Sequence, residues 1–192
     1  MRDPFPASAG KRERSGDLTM AAQLYKDGGF VADDWRHLGD DEPLPEAGAV
    51  ILPLARFLEN VATAPASLKL AVLLRAADDP DALAPHLSRL ELIAVDFAKF
   101  SDGRGYSTAR LLCRRHGFDG ELRAVGDVLL DQIPLMRRCG FTAFEIVHAP
   151  TRRALEAGHN VEVPLYLQPA ERAGERPAGA RAWARRPAAS PV

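Results

Sequence analysis

The ten residues KFSDGRGYST, Lys99 to Thr108, hold a lysine, an aspartate, an arginine, a tyrosine, two serines and two glycines between an apolar run and an amphipathic one. A loop that only turns needs Gly, Asn or Asp; this composition points to an anion seat. Gly103 and Gly105 can take φ > 0 and let backbone N–H groups point inward. A helix beginning near Ser107 adds N–H groups without intrahelical partners and a partial positive charge. Arg104 can grip an oxyanion bidentately, and Lys99 adds a point charge. A structural reading stands beside this one: Asp102 and Arg104 pair with each other, Ser107 caps the helix, and the glycines make the turn. GRGYST is a poor nucleotide fingerprint, because Thr108 stands where a third small residue belongs and the run follows a third strand rather than opening the fold.

Asp127 and Asp131, with Asp96 at a strand end, are the candidate acid or base groups, and Tyr106 is a candidate proton donor. Asp127 also suits a helix cap, and Asp131 the first turn of a helix. Cys113 and Cys139 form neither a C-x-x-C motif nor a zinc ligand set, and both read as core cysteines. The histidines, His37, His86, His116, His148 and His159, contain no H-x-x-x-H pair, so no metal site is expected. DDWRHLGDDE, Asp33 to Glu42, reads as a solvated acidic loop without the ligand spacing of an EF-hand.

The elements that position these residues come from a chain of 192 residues, 46% hydrophobic and 27% charged, long enough for one domain with a proper core. A net charge of −1 argues against a broad surface for nucleic acid or anionic membrane, both of which need clustered uncompensated Lys and Arg. No stretch approaches a membrane span. The opening residues lack the apolar core of a secretory signal, so a cytoplasmic location is expected.

Residues 1–19 are polar and without period and read as a disordered extension; 20–168 form a single α/β domain; 169–192, rich in Pro, Ala, Arg and Gly, read as a disordered tail. QLYKDGGFVADDW predicts a short hairpin turning at Asp27, Gly28 and Gly29. Strands are expected at Val50–Leu54, Leu68–Leu74, Leu92–Phe97, Glu121–Val125 and Phe144–Val147, and a further one at Val161–Leu167. Helices are expected in ARFLENV, in DDPDALAPHLSRL with Asp79 as cap and Pro85 as a flaw, in STARLLCRRHG with Arg110, Arg114 and Arg115 on its wet side, and in LLDQIPLMRRCG. Repeated strand and helix units predict a mainly parallel sheet, either a partial barrel or doubly wound. Ligands of such sheets sit outside the carboxyl ends of the strands, where both polar loops fall.

DFAKFSDGRGYSTARLL, LRAVGDVLLDQ and MRRCGF resemble, in order and spacing, a bacterial family of unknown function, family 934, whose members are described as oxidoreductases of sulfite reduction. The likeness runs from about Gly29 to Leu167 and takes in DDWRHL and DDEPLP; Pro134 departs from the pattern. The resemblance implies an accessory protein of assimilatory sulfate and sulfite reduction. With the loop chemistry, it implies binding of a small oxyanion or a phosphorylated or sulfated metabolite, and sulfite reductase or another sulfate-assimilation enzyme as partner. The alternatives are an independent barrel-like enzyme using Asp127 or Asp131 as acid or base, and a structural partner-binding module. No residue pattern identifies a cofactor.

Overall fold

Asp27 and Gly28 both take positive φ, 51° and 84°, the geometry of a two-residue hairpin turn whose twist matches its strands. They join β1 (Gln23–Lys26) to β2 (Gly29–Val31). The computed structural model describes residues 22–159 and 165 and the backbone of 176–178 and 181–186. Six further strands follow the hairpin in one sheet: β3 (Trp35–His37), β4 (Gly48–Pro53), β5 (Leu68–Leu74), β6 (Leu90–Phe97), β7 (Glu121–Gly126) and β8 (Ala143–Ile146). Their order is β2-β1-β8-β7-β6-β5-β4-β3. Neighbours from β3 to β8 run parallel, while β1 lies antiparallel to β8 and to β2.

The sheet is therefore mixed, not the mainly parallel sheet of repeated βα units expected from the sequence, and it curls into a half-barrel. The repeat fails for local reasons. No helix lies between β3 and β4, and the crossover from β5 to β6 is a 3-10 helix, Pro80–Arg89. Asp79 caps it through the Asp81 N–H as anticipated, but Pro85 inside it cannot donate the bond an α-helix needs. α1 (Leu54–Asn60) and α2 (Arg104–Arg114) occupy expected positions. The predicted helix around Pro134 divides into a 3-10 turn, Leu130–Gln132, and α3 (Ile133–Cys139), with Pro134 in the first turn, where a missing N–H is harmless. Trp35–His37, read as part of a solvated loop, is the edge strand β3. α4 (Ala149–Glu156), capped by His148, was not anticipated. Within the stretch read as a tail, β9 (Arg176–Ala178) and β10 (Arg181–Arg186) pair antiparallel; Val161–Leu167 falls almost wholly outside the described residues.

The convex face carries the larger core, in which Phe57, Leu83, Leu112 and Met136 from the helical layer meet Val72, Val95 and Phe144 from the strands. The concave face is lined by Ile51, Ala71, Leu92, Ala94 and Val125, with Trp35 and Leu73 against them. Helices thus cover one face, which separates this half-barrel from the doubly wound alternative. Strands buried on both sides read as continuous apolar runs, as LKLAVLL does.

One charge is buried inside the curl. Arg123 of β7, 1% exposed, donates to Asp33 from Nη1 (2.7 Å) and Nη2 (3.1 Å) and to Glu121 from Nε (2.9 Å). Glu121 also accepts from Lys26 Nζ at 2.8 Å. Burial opposes the Arg123 charge, and its two carboxylates more than offset that cost. His37 Nε2 lies 3.0 Å from Glu145 Oε2, joining β3 to β8 across the same face. No helix among the described residues is long and apolar enough to cross a membrane.

Replacing Arg123 with Ala leaves Asp33 without its cation and Glu121 with Lys26 alone, and is expected to lower the unfolding free energy by about 3 to 5 kcal/mol. Lys69→Ala, which removes an exposed pair with Glu91, should cost at most about 1 kcal/mol. Urea melts of both variants check this; equal losses would mean the buried network does not hold the sheet.

Candidate functional site

The helix after the polar loop begins at Arg104, three residues earlier than the sequence suggested, and this changes where each loop residue stands. Arg104 is the first helical residue. Its Nε and Nη2 donate to Asp102 Oδ1 (2.9 Å) and Oδ2 (2.7 Å), and its backbone N–H donates to Asp102 Oδ1 (3.2 Å). The bidentate grip expected for an oxyanion is made on Asp102. Neither glycine presents its backbone inward through positive φ. Gly103 has φ −79° and caps the helix without a side-chain bond. Gly105 lies inside the helix, where a Cβ would stand 2.6 Å from Phe97 Cζ, so its smallness lets α2 pack on β6. Ser107 is exposed on the first turn of α2 and does not cap it. Lys99 is exposed at the loop's start.

The loops after β6 and β7 do face one another, as adjacent parallel strands require, and they are tied together. Asp127 Oδ2 accepts the Phe100 N–H at 3.2 Å, and Gln132 Nε2 donates to the Phe100 carbonyl at 3.0 Å while its Oε1 accepts the Leu129 N–H. Asp127 therefore ties the two loops together. Phe100 is held at its N–H and its carbonyl, yet the residue is 60% exposed. Gly126, at φ +90°, leaves room that a Cβ would take within 2.7 Å of Asp96 Oδ1 and the Phe97 carbonyl.

The acid–base candidates separate. Asp96 alternates with Phe97 along β6 and lies on the concave side with Ala94, where burial pushes its carboxyl up against the pull of Arg75 and His37. Tyr106 and Asp131 belong to the convex side. Burial raises the Tyr106 phenol, the neighbouring Cys139 and Asp131 add to this, and a hydrogen bond with Gln132 opposes it. The Tyr106 ring packs edge-on against Phe97 at 5.2 Å.

From Tyr106 a groove of about 350 Å³ runs along α2, lined by Tyr106, Ser107, Arg110, Leu111, Arg114, Arg115 and, from α3, Cys139. Burial raises the Cys139 thiol, and Arg110 and Arg138 pull it back. Arg115 is anchored to Asp81 at 3.2 Å. The three arginines were read as the wet face of their helix. Their spacing from Ser107 at three, seven and eight residues was the available signal, since it places them near one stripe, but α3 supplies the second wall. The lining is mostly apolar, and the arginines give it a basic rim of a kind that suits an anion. Among the described residues no group of three or more His, Cys, Asp and Glu side chains is placed to hold a metal ion.

The Asp102 carboxyl, held by Arg104, falls to about 2 from an ordinary 3.8. A depressed carboxyl stabilises the fold above its unfolded value and loses that contribution as pH falls through the folded one. The window is thus pH 4 down to 2. Arg104→Ala should return Asp102 to the ordinary carboxylate range by carbon-detected NMR titration and remove this acid dependence; an unchanged titration would refute the pairing.

No curated protein matches the chain. The model of a family described as bacterial protein of unknown function (DUF934) matches residues 71–172, more than half of the chain. That range contains all three parts of the central signature, while DDWRHL and DDEPLP precede it. The loop ties, the α2 groove and both cysteines fall inside it, and on this match the chain belongs to the DUF934 family.

Proposed function

We propose that the protein is an accessory component of assimilatory sulfate and sulfite reduction that binds a small oxyanion, or a phosphorylated or sulfated metabolite, in the groove between α2 and α3. The pathway follows from the likeness of the central signature. The observation that supports the binding reading is the lining of the groove, to which Arg110, Arg114 and Arg115 contribute together with Ser107 and Tyr106. A guanidinium in such a wall offers a charge-assisted, planar grip. Arg104 is not part of the site in this reading, because Asp102 already occupies its donors. Phe100, exposed and fixed by Asp127 and Gln132, is the anchor assigned to contact with sulfite reductase or another sulfate-assimilation enzyme.

Titration calorimetry with sulfite, sulfate, phosphate and adenylylated sulfate tests the site. Arg110→Ala removes a charge-assisted contact worth about 1.5 to 3 kcal/mol, so affinity for the bound anion should weaken by roughly 10- to 150-fold. Arg110→Lys should recover part of the loss, and Arg104→Ala should leave affinity unchanged. Loss on Arg104→Ala with none on Arg110→Ala would return the site to the loop. A gene-deletion strain should fail on sulfate and grow on a reduced sulfur source; growth on both would remove the pathway assignment.

A further inference from the structure

The two cysteines are far apart in sequence and carry no redox motif, yet α2 and α3 bring them to one place. A Cβ on Gly140 would lie 2.5 Å from Cys113 Sγ. Gly140 also has φ +116°, so a side chain there would be both strained and blocked by the sulfur. Gly140 is the residue directly after Cys139, and the Cys113 sulfur therefore rests on the backbone adjoining Cys139. Both cysteines are free and, as residues, only partly buried where they pack against the larger core, and Cys139 lines the groove with Arg110 and Tyr106.

We propose that Cys139 and Cys113 form a dithiol–disulfide couple between α2 and α3, entered through Cys139 from the groove, with a small anionic disulfide as substrate. The anionic class rests on the groove reading above; the thiol couple does not. In the first step the Cys139 thiolate attacks one sulfur of the substrate, the substrate S–S bond breaks, a mixed disulfide forms, and the first thiolate leaves and is protonated. In the second step the Cys113 thiolate attacks the Cys139 sulfur, the mixed disulfide breaks, and the second thiol leaves. Two electrons pass from the cysteines to the substrate, and their two protons end on the two product thiols. A low-molecular-weight thiol reductant returns the couple to the dithiol.

Burial raises both thiols above their ordinary 9.0. Arg110 and Arg138 act against this at Cys139, as do Arg114 and Arg110 at Cys113, while Cys113 adds to the rise at Cys139. Attack needs the thiolate, so the rate should keep rising with pH beyond 9.

The test uses the reduced, folded full chain and 5,5′-dithiobis(2-nitrobenzoate), a dianionic disulfide. The wild type should release two thionitrobenzoate ions per chain, retain none, and lose the mass of two hydrogens. Cys113→Ser should release one and retain one on Cys139, with its fold checked by melting. A wild type that keeps an adduct on each thiol, or reacts only when unfolded, would overturn the couple. Arg110→Ala removes a charge that favours the Cys139 thiolate and so should slow attack on either disulfide, but it should slow the dianionic probe further, by up to about tenfold, than neutral 2,2′-dithiodipyridine. The same slowing of Arg110→Ala relative to the wild type with both probes would overturn the anionic class and leave the couple standing.

Discussion

Three residues, Ala32, Asp33 and Asp34, connect β2 to β3, and those strands are the two edges of an eight-stranded sheet. A flat sheet of that order would hold its edges about 34 Å apart at ordinary strand spacing. The connection from Val31 to Trp35 spans at most about 14 Å when fully extended. The sheet must therefore curl until its edges approach, and the other long-range features accommodate that curl. Small Ala71 and Ala94 line the concave face beside Trp35. Asp33, in the middle of the connection, is the residue that meets Arg123, 90 positions away. His37 reaches Glu145 by the same geometry. A buried guanidinium needs carboxylates, and the short connection supplies one of them.

The curl divides the chemistry. Polar groups of the concave face are largely committed to one another, in the Lys26, Glu121, Arg123 and Asp33 network and in the His37 and Glu145 pair. The convex side carries the helical layer, so an α2–α3 groove can form there with arginines from one helix and a thiol from the other. The ties from Asp127 and Gln132 to Phe100 fix the start of α2 against the loop after β7, which sets where Tyr106 and Ser107 stand.

Local patterns exposed much of this architecture. The Asp27-Gly28 turn, the apolar runs of β5 and β6, the cap at Asp79 and the glycine stop at Gly140 are all encoded within a few residues. β3 was hidden because three residues in an acidic stretch become a strand only by pairing with β4, and its place at the far edge depends on the whole sheet. The half-barrel was hidden for the same reason. Pro85 was visible as a flaw, but its outcome, a 3-10 helix, depends on the packing of Leu83 against the sheet. At the site, the Asp102 and Arg104 pairing was legible as an alternative because the residues are two apart. Arg110, Arg114 and Arg115 were legible as a charged stripe, yet a solvated stripe and a groove wall differ only in what stands opposite. The thiol pair was invisible, since nothing in the sequence spacing of Cys113 and Cys139 says that α2 and α3 are neighbours.

The central claim is that the anion site lies in the α2–α3 groove and not in the glycine loop before it. Amide chemical-shift mapping of the isotope-labelled full chain during titration with sulfite tests this most directly. Shifts concentrated at Tyr106 to Arg115 and at Cys139, with Lys99 to Gly103 unmoved, are the expected result. Shifts centred on Lys99 to Gly103 with the α2 groove silent would contradict it.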